Sequence, residues 1–212
     1  MNRSVKVAIV YYSATGHIAH IAQEMAGAAE KAGAEVRLRQ VAELASPSVI
    51  AGNPAWAANV AATAEIPVAT VEDLIWADAV ILGSPTRFGN ISSQLKQFLD
   101  TLGAVWQQGL LADKVYSGFT STGTLHGGHE STLLALTTTF HHFGGIVVAP
   151  GYTHPAKFAD GNPYGTSHHD AGGTAPVDEV TRAAARVQVN RVVRFARAVS
   201  MARPDDAAPV AA

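Results

Sequence analysis

The chain has 212 residues, of which 48% are hydrophobic, with a formal net charge of −2 and no cysteine. That is enough apolar material for one domain with a sizeable core, and it lacks the basic field of a nucleic-acid binder or the acidity of a charged docking protein. The missing cysteines exclude a disulfide framework, a thiolate nucleophile and any cysteine-ligated zinc or iron–sulfur site.

The opening "MNRSVKVAIVYYS" reaches a polar turn too soon for a signal sequence. No stretch approaches the roughly 18 apolar residues of a membrane span. The expectation is a cytoplasmic protein without membrane insertion. Five short apolar runs, at 5–12, 34–41, 77–84, 114–121 and 145–150, alternate with helix-like segments. The first and third are nearly continuous in apolar residues, as parallel strands covered on both faces require. In the second, Val36 and Leu38 alternate with Arg37 and Arg39, the pattern of a half-exposed edge strand.

Between the runs, Ile18, Ile21, Ala22, Met25 and Ala29 share one helical face. Ile91, Leu95, Phe98, Leu99 and Leu102 make a second stripe, ended by Gly103. A third helix is expected over about 129–143, stopping at Gly144–Gly145, and a last one over about 178–200. In that last helix Arg182, Arg186, Arg194 and Arg197 read as a solvated face. Strand–helix alternation with right-handed crossovers gives a doubly wound α/β fold: five parallel strands between two helical layers. With the second strand at an edge, the strand order is 2-1-3-4-5. Residues 1–202 read as one domain with long insertions at 46–72 and 152–176, and 203–212 as a disordered tail.

In an open parallel sheet, ligands sit beyond the carboxyl ends of the strands, where strand order reverses. The loop Ser13-Ala14-Thr15-Gly16-His17-Ile18 falls there. Its hydroxyls, its glycine and the amides that open the following helix make an uncharged phosphate nest. A nucleotide-hydrolysing loop would place a lysine on the phosphates, and a dinucleotide site would carry G-x-G-x-x-G. Neither is present. A monophosphate cofactor remains, and riboflavin phosphate (FMN) is the obvious one. The same loop also reads as an ordinary strand–helix turn capped by Ser and Thr. Two more polar, glycine-bearing loops, "GSPTRFGN" and "TSTGTLHGGHEST", emerge at the same sheet edge, suited to bordering a planar flavin.

The blocks "YYSATGHI", "GSPTRFGN" with "QFLDTLGAVW", "STGTLHGGHE", "HHFGGIVVAPGY" and "GNPYGTSHHDAGG" run in order over roughly residues 5–200. Together they resemble the flavodoxin-like WrbA family of NAD(P)H:quinone oxidoreductases. The resemblance implies a flavodoxin-like fold, bound FMN, a homotetramer, and two-electron reduction of quinones by NADH or NADPH. It implies that Ser13, Ala14, Thr15, Gly16, His17 and Ile18 hold the phosphate. Thr86, Arg87, Phe88 and Gly89 would line the isoalloxazine and ribityl regions. Ser121, Thr122, Gly123 and Thr124, with Gly127 beyond, would border the ring on its other side. His142 falls at the family's flavin-site histidine, and Trp106 matches an aromatic of the substrate pocket. Thr15 stands where many members carry a tyrosine associated with the nicotinamide, which leaves the choice between NADH and NADPH open.

Other readings accompany several of these residues. Arg87 reads as a cofactor contact or a surface arginine, Trp106 as a pocket residue or a subunit-interface anchor. His142 reads as a neutral donor to a flavin or quinone oxygen, or as a cap on its helix end. The histidines at 126, 129, 141, 142, 168 and 169 suggest a metal cluster, but without a well-placed carboxylate no metal is expected. The implied reaction is a ping-pong cycle in which FMN does the redox chemistry and no protein nucleophile or base is needed. The alternative is a non-enzymatic, flavodoxin-type electron carrier, which a net charge of −2 disfavours because such carriers use acidic docking faces.

Overall fold

The computed structural model describes residues 4–202; the expected disordered tail lies outside the described residues. Strand β1 (Lys6–Tyr11) is followed by helix α1 (His17–Lys31) and edge strand β2 (Glu35–Gln40). Helices α2 (Pro47–Ala51), α3 (Pro54–Ala62) and α4 (Val71–Trp76) lead to β3 (Ala79–Pro85). Helices α5 (Ser93–Asp100) and α6 (Gly103–Gln107) then precede β4 (Val115–Thr122) and α7 (His129–His142). The chain ends in β5 (Ile146–Val147), α8 (Pro155–Asp160), β6 (Thr166–His169) and α9 (Glu179–Ala202).

The sheet order is β2-β1-β3-β4-β5, all parallel, as the apolar runs require. Alternate side chains of β1 separate two cores. Val7, Ile9 and Tyr11 pack under α1 and α9, while Ala8, Val10 and Tyr12 pack under α4, α5 and α7. Three layers result, because the central strands β1, β3 and β4 bury both faces.

The expected count of five strands needs correction. A sixth strand, β6, also pairs parallel with β4, at Phe119–Thr122, while β5 takes only Val115 and Tyr116. The fifth position of the sheet is therefore filled in two pieces. β5 stops early because Pro150 has no N–H for a ladder and the Val148 carbonyl accepts from the Ser117 hydroxyl instead. The stretch 152–176, read as a loop, contains α8 and β6. The other insertion, 46–72, holds α2 and α3. Gly103 opens α6 and does not simply end the preceding helix.

Gly165 leads into β6, where a Cβ would lie 2.3 Å from the Gly118 carbonyl oxygen. Only glycine lets the two backbones approach so closely. Beneath this junction Lys157 and Asp160 form a fully buried ion pair, and Lys157 Nζ also donates to the Gly165 carbonyl at 3.1 Å. Burial pushes the lysine pKa down and the Asp160 pKa up, against their mutual attraction.

Removing one partner strands the other charge in the core. Lys157→Ala is expected to destabilise by about 3–5 kcal/mol, a fall in Tm of roughly 6–20 °C. Lys157→Met combined with Asp160→Leu should recover most of that loss in thermal circular dichroism.

Candidate active site

The carboxyl ends of β1, β3 and β4 come together around a cavity of about 280 Å³. Its wall combines the first-strand loop (Ser13, Ala14, Thr15, His17, Ile18), Pro85–Arg87 after β3 and Ser121–Gly123 at the end of β4. Three segments spread over more than 100 residues of the chain thus meet at the reversal of strand order, because parallel pairing puts Tyr11, Gly83 and Phe119 in register. The cavity also has a wall that the sequence reading missed: Asp170, Gly172 and Gly173, delivered by β6.

The first-strand loop is shaped to expose amides. Gly16 sits at φ +98°, a left-handed conformation that favours glycine, and its N–H donates to Ser13 Oγ at 3.2 Å. No side chain among the described residues caps the N-terminus of α1. Its first amides are left for a ligand, and the helix dipole favours an anion there.

The loop is braced from outside by the 46–72 insertion. Buried Asn59, on α3, donates from Nδ2 to the Ser13 carbonyl oxygen at 2.8 Å. Next to it, Tyr12 Oη donates to Glu43 Oε2 at 3.0 Å, as does Trp56 Nε1. Burial would raise the Glu43 pKa, but donors from Ala45, Gln94, Tyr12 and Trp56 outweigh it and hold the carboxyl below its usual range. Burial, then Glu43, push the Tyr12 phenol up. Asn59 carried no sequence signal, since an asparagine in an Ala-rich stretch reads as an ordinary polar residue.

After β3, Arg87 and Asn90 exchange backbone hydrogen bonds at 2.7 and 3.0 Å. The two residues between them, Phe88 (φ +53°) and Gly89 (φ +76°), both have positive φ, as in a type I′ turn. A bulky side chain rarely adopts that φ, and the Phe88 ring is fully exposed at the tip. Thr86 locks the turn: its Oγ1 accepts from the Gly89 N–H at 3.1 Å and donates to the Gly127 carbonyl at 3.3 Å. Arg87 lines the cavity, with Nη1 donating to the Thr86 carbonyl at 2.9 Å. Buried Thr122 donates to the Thr124 carbonyl at 2.7 Å and meets His129 Nε2 at 2.7 Å, while Thr124 is exposed at the rim. His129 is thereby a structural partner of β4.

Trp106 and His142 do not line this cavity of their own chain. Helix α7 starts at the cavity edge and runs about 20 Å away from it, so His142 emerges exposed at the opposite end of the sheet. There Trp106 Nε1 donates to the His142 carbonyl oxygen at 2.6 Å. Both line a separate hollow of about 340 Å³ with Leu99, Gly103 and Thr139.

The donor set fits FMN. Hydroxyls of Ser13, Thr15, Thr86, Ser121 and Thr122 and the open amides of α1 suit a phosphate monoester and a polyhydroxy chain, and the wall holds no lysine to promote phosphate cleavage. Such a sheet, with an uncapped helix N-terminus at its switch point, defines a flavodoxin-like phosphate-binding protein.

Comparison with known proteins narrows the class. Residues 5–160 match the family model of NADPH-dependent FMN reductases. The NAD(P)H dehydrogenase (quinone) of Deinococcus radiodurans is 47% identical over 196 residues, covering 92% of this chain and 97% of that protein. The protein of the same name from Sinorhizobium fredii is 43% identical over 197 residues, covering 90% and 96%. Among solved structures, a WrbA-like flavodoxin from Agrobacterium tumefaciens superposes with a TM-score of 0.65 at 26% identity, over 92% of this chain and 99% of that one. An archaeal flavodoxin, at a TM-score of 0.57 and 16% identity over 91% and 99%, shares the fold. The chain belongs to the NADPH-dependent FMN reductase family, with the WrbA-like NAD(P)H:quinone dehydrogenases among its relatives.

Asn59→Asp would turn a donor to the Ser13 carbonyl into a repelling oxygen beside the phosphate loop. Loss of about 1–3 kcal/mol, a rise in the FMN dissociation constant of roughly 5- to 150-fold, is expected in a flavin-fluorescence titration.

Proposed function

We propose that this protein is an FMN-dependent NAD(P)H:quinone oxidoreductase that carries two electrons from NADH or NADPH to a quinone. The observation that carries the reading is the uncapped N-terminus of α1 opening into a hydroxyl-rich cavity at the strand-order reversal. The family match and the names of the relatives support it. When bound, FMN supplies the hydride-accepting and hydride-donating chemistry.

The chain's residues do the binding and orienting. Ser13, Thr15 and the amides of His17 and Ile18 hold the phosphate, with Gly16 turning those amides toward it. Thr86 and Arg87 continue from β3 beside Ser121, Thr122 and Gly123 at the end of β4, the Thr86 N–H donating to the Ser121 carbonyl at 2.9 Å, so these two neighbouring strand ends together would border a flat ring. The Arg87 guanidinium can meet a carbonyl oxygen of the ring or stack on it. Phe88, Gly89, Thr124 and Gly127 form the rim beyond, and Thr15 lies at the mouth where a nicotinamide would approach. A nucleophile or general base is not called for.

The active unit is a homotetramer, in which a second subunit brings Trp106 and His142 to the open side of the flavin. Support comes from their distance from the cavity of their own chain and from the exposure of Phe88, Trp106 and Leu125, large apolar side chains that favour cover. His142 then serves as a hydrogen-bond donor to the reduced quinone oxygen. Residues 1–202 act as one domain. No helix of the described residues is long and apolar enough to cross a membrane, and the setting we propose is the cytoplasm, the compartment of its reductant.

Purified protein with FMN should consume NADH when benzoquinone is added, with parallel lines in double-reciprocal plots at varied quinone. Intersecting lines would exclude the two-stage cycle, and a protein that takes up FMN yet consumes no NAD(P)H would be an electron carrier.

Light scattering after size exclusion tests the assembly, with four chains expected. Trp106→Ala should raise the quinone KM several-fold while leaving FMN affinity within about twofold. A monomeric protein of full activity would remove the second-subunit assignment.

A further inference from the structure

The phosphate cradle contains a feature that an anion site ought to avoid. Asp170 lines it, with a side chain only 15% exposed. A phosphate monoester already carries more than one negative charge near neutrality, so an ionised carboxylate on the same wall opposes its binding. Something must offset it, and the cradle has no lysine.

The group in position is His17, the first residue of α1. Its ring is 11% exposed, with Nδ1 3.7 Å from Asp170 Oδ2. The ring stacks on His168 at 5.6 Å between centroids, and Nδ1 also meets Thr15 Oγ1 at 3.4 Å. Asp170 is itself held in place. Its N–H donates to the Thr122 carbonyl at 2.9 Å, and Oδ1 accepts from the Gly173 N–H at 2.9 Å. Oδ2 is thereby turned toward the imidazole.

Building on the FMN reading above, we propose that His17 supplies the cation of the phosphate cradle. It takes up a proton when phosphate binds, and Asp170 is the positioning residue that holds its ring and its charge. A helix N-terminus alone disfavours an imidazolium. A carboxylate on one side and a phosphate on the other reverse that preference. The cradle thus carries a cation only when it has an anion to hold, which explains both the missing lysine and the misplaced carboxylate.

On α1, partial burial lowers the pKa of His20, with Arg182 and His17 adding to the effect. On α9, Arg182 and Arg186 are taken up by Glu24. His168 is bonded through both ring nitrogens, to Thr181 Oγ1 and the Ala175 carbonyl, with Asp178 nearby. Arg87 lines the same cavity from the turn after β3.

The sign of the linkage follows. A proton held more tightly in the complex makes binding strongest at low pH and weaker as pH rises through the imidazole range of about 6 to 8, by at most tenfold per unit. The test is calorimetric titration of FMN from pH 5.5 to 8.5 in two buffers of different ionisation enthalpy, with flavin fluorescence as a second readout. Wild type should take up a substantial fraction of a proton and lose FMN affinity as pH rises. His17→Gln should take up less, and its remaining pH response is that of the phosphate, whose own second ionisation lies near pH 6. Asp170→Asn should move the affinity decline to lower pH, whereas a merely structural Asp170 would lower affinity equally at every pH. Riboflavin, which has no phosphate, should show no uptake. Equal proton uptake by wild type and His17→Gln overturns the proposal while leaving FMN binding intact. Absence of FMN binding at every pH overturns the cofactor reading as well.

Discussion

The fold turns on the requirement that the first amides of α1 stay unpaired at the end of β1. A helix that starts without a capping side chain normally forfeits about 1 kcal/mol, and here the helix is long and mostly buried on one side, so that loss is borne. Ser13 Oγ is spent on the Gly16 N–H, and the left-handed Gly16 turns the next amides outward. The surrounding structure serves this turn. β1 is held between β2 and β3, and Asn59 grips the Ser13 carbonyl from behind, so the cradle is rigid before any ligand arrives.

Rigidity on the far side comes from a different source. The fifth sheet position is split, and β6 depends on a glycine contact with β4 and on a buried Lys157–Asp160 pair beneath it. A buried pair is weak evidence of stability, since its desolvation rivals its attraction. Its effect here is geometric: Lys157 ties α8 to the Gly165 carbonyl, which fixes where β6 begins and hence where Asp170 and its glycines end. An ion pair at the floor of the molecule thus sets the position of a charge in the cavity.

The chemistry expected of the site matches this economy. Hydride transfer between a nicotinamide, a flavin and a quinone needs neither an acid–base pair nor a nucleophile from the protein. It needs flat molecules held in register and an edge of well-placed donors. Threonine and serine hydroxyls, a single arginine and backbone amides suffice, provided their own hydrogen bonds fix their directions. Thr86 shows this, joining the Gly89 turn to the loop that opens α7.

Local pattern alone determined the strand order, the two helical stripes and the place of the first-strand loop. Continuous apolar runs bury both faces of a parallel sheet, and three polar, glycine-bearing loops emerging at one sheet edge single out its ligand end. The blocks around Ser13, Thr86 and Ser121 could be assembled into one site because ligand loops of an open parallel sheet emerge at one edge. Tertiary structure decided what no local pattern records. β6 forms in a Gly- and His-rich stretch only because β4 offers it an unpaired edge. Asn59 and Asp170 reach the cradle from insertions that look like loops, and the length of α7 carries His142 to the opposite end of the sheet, where Trp106 of α6 meets it. Periodicity reports which side of an element is buried, whereas the partner across that surface depends on contacts between residues far apart in sequence.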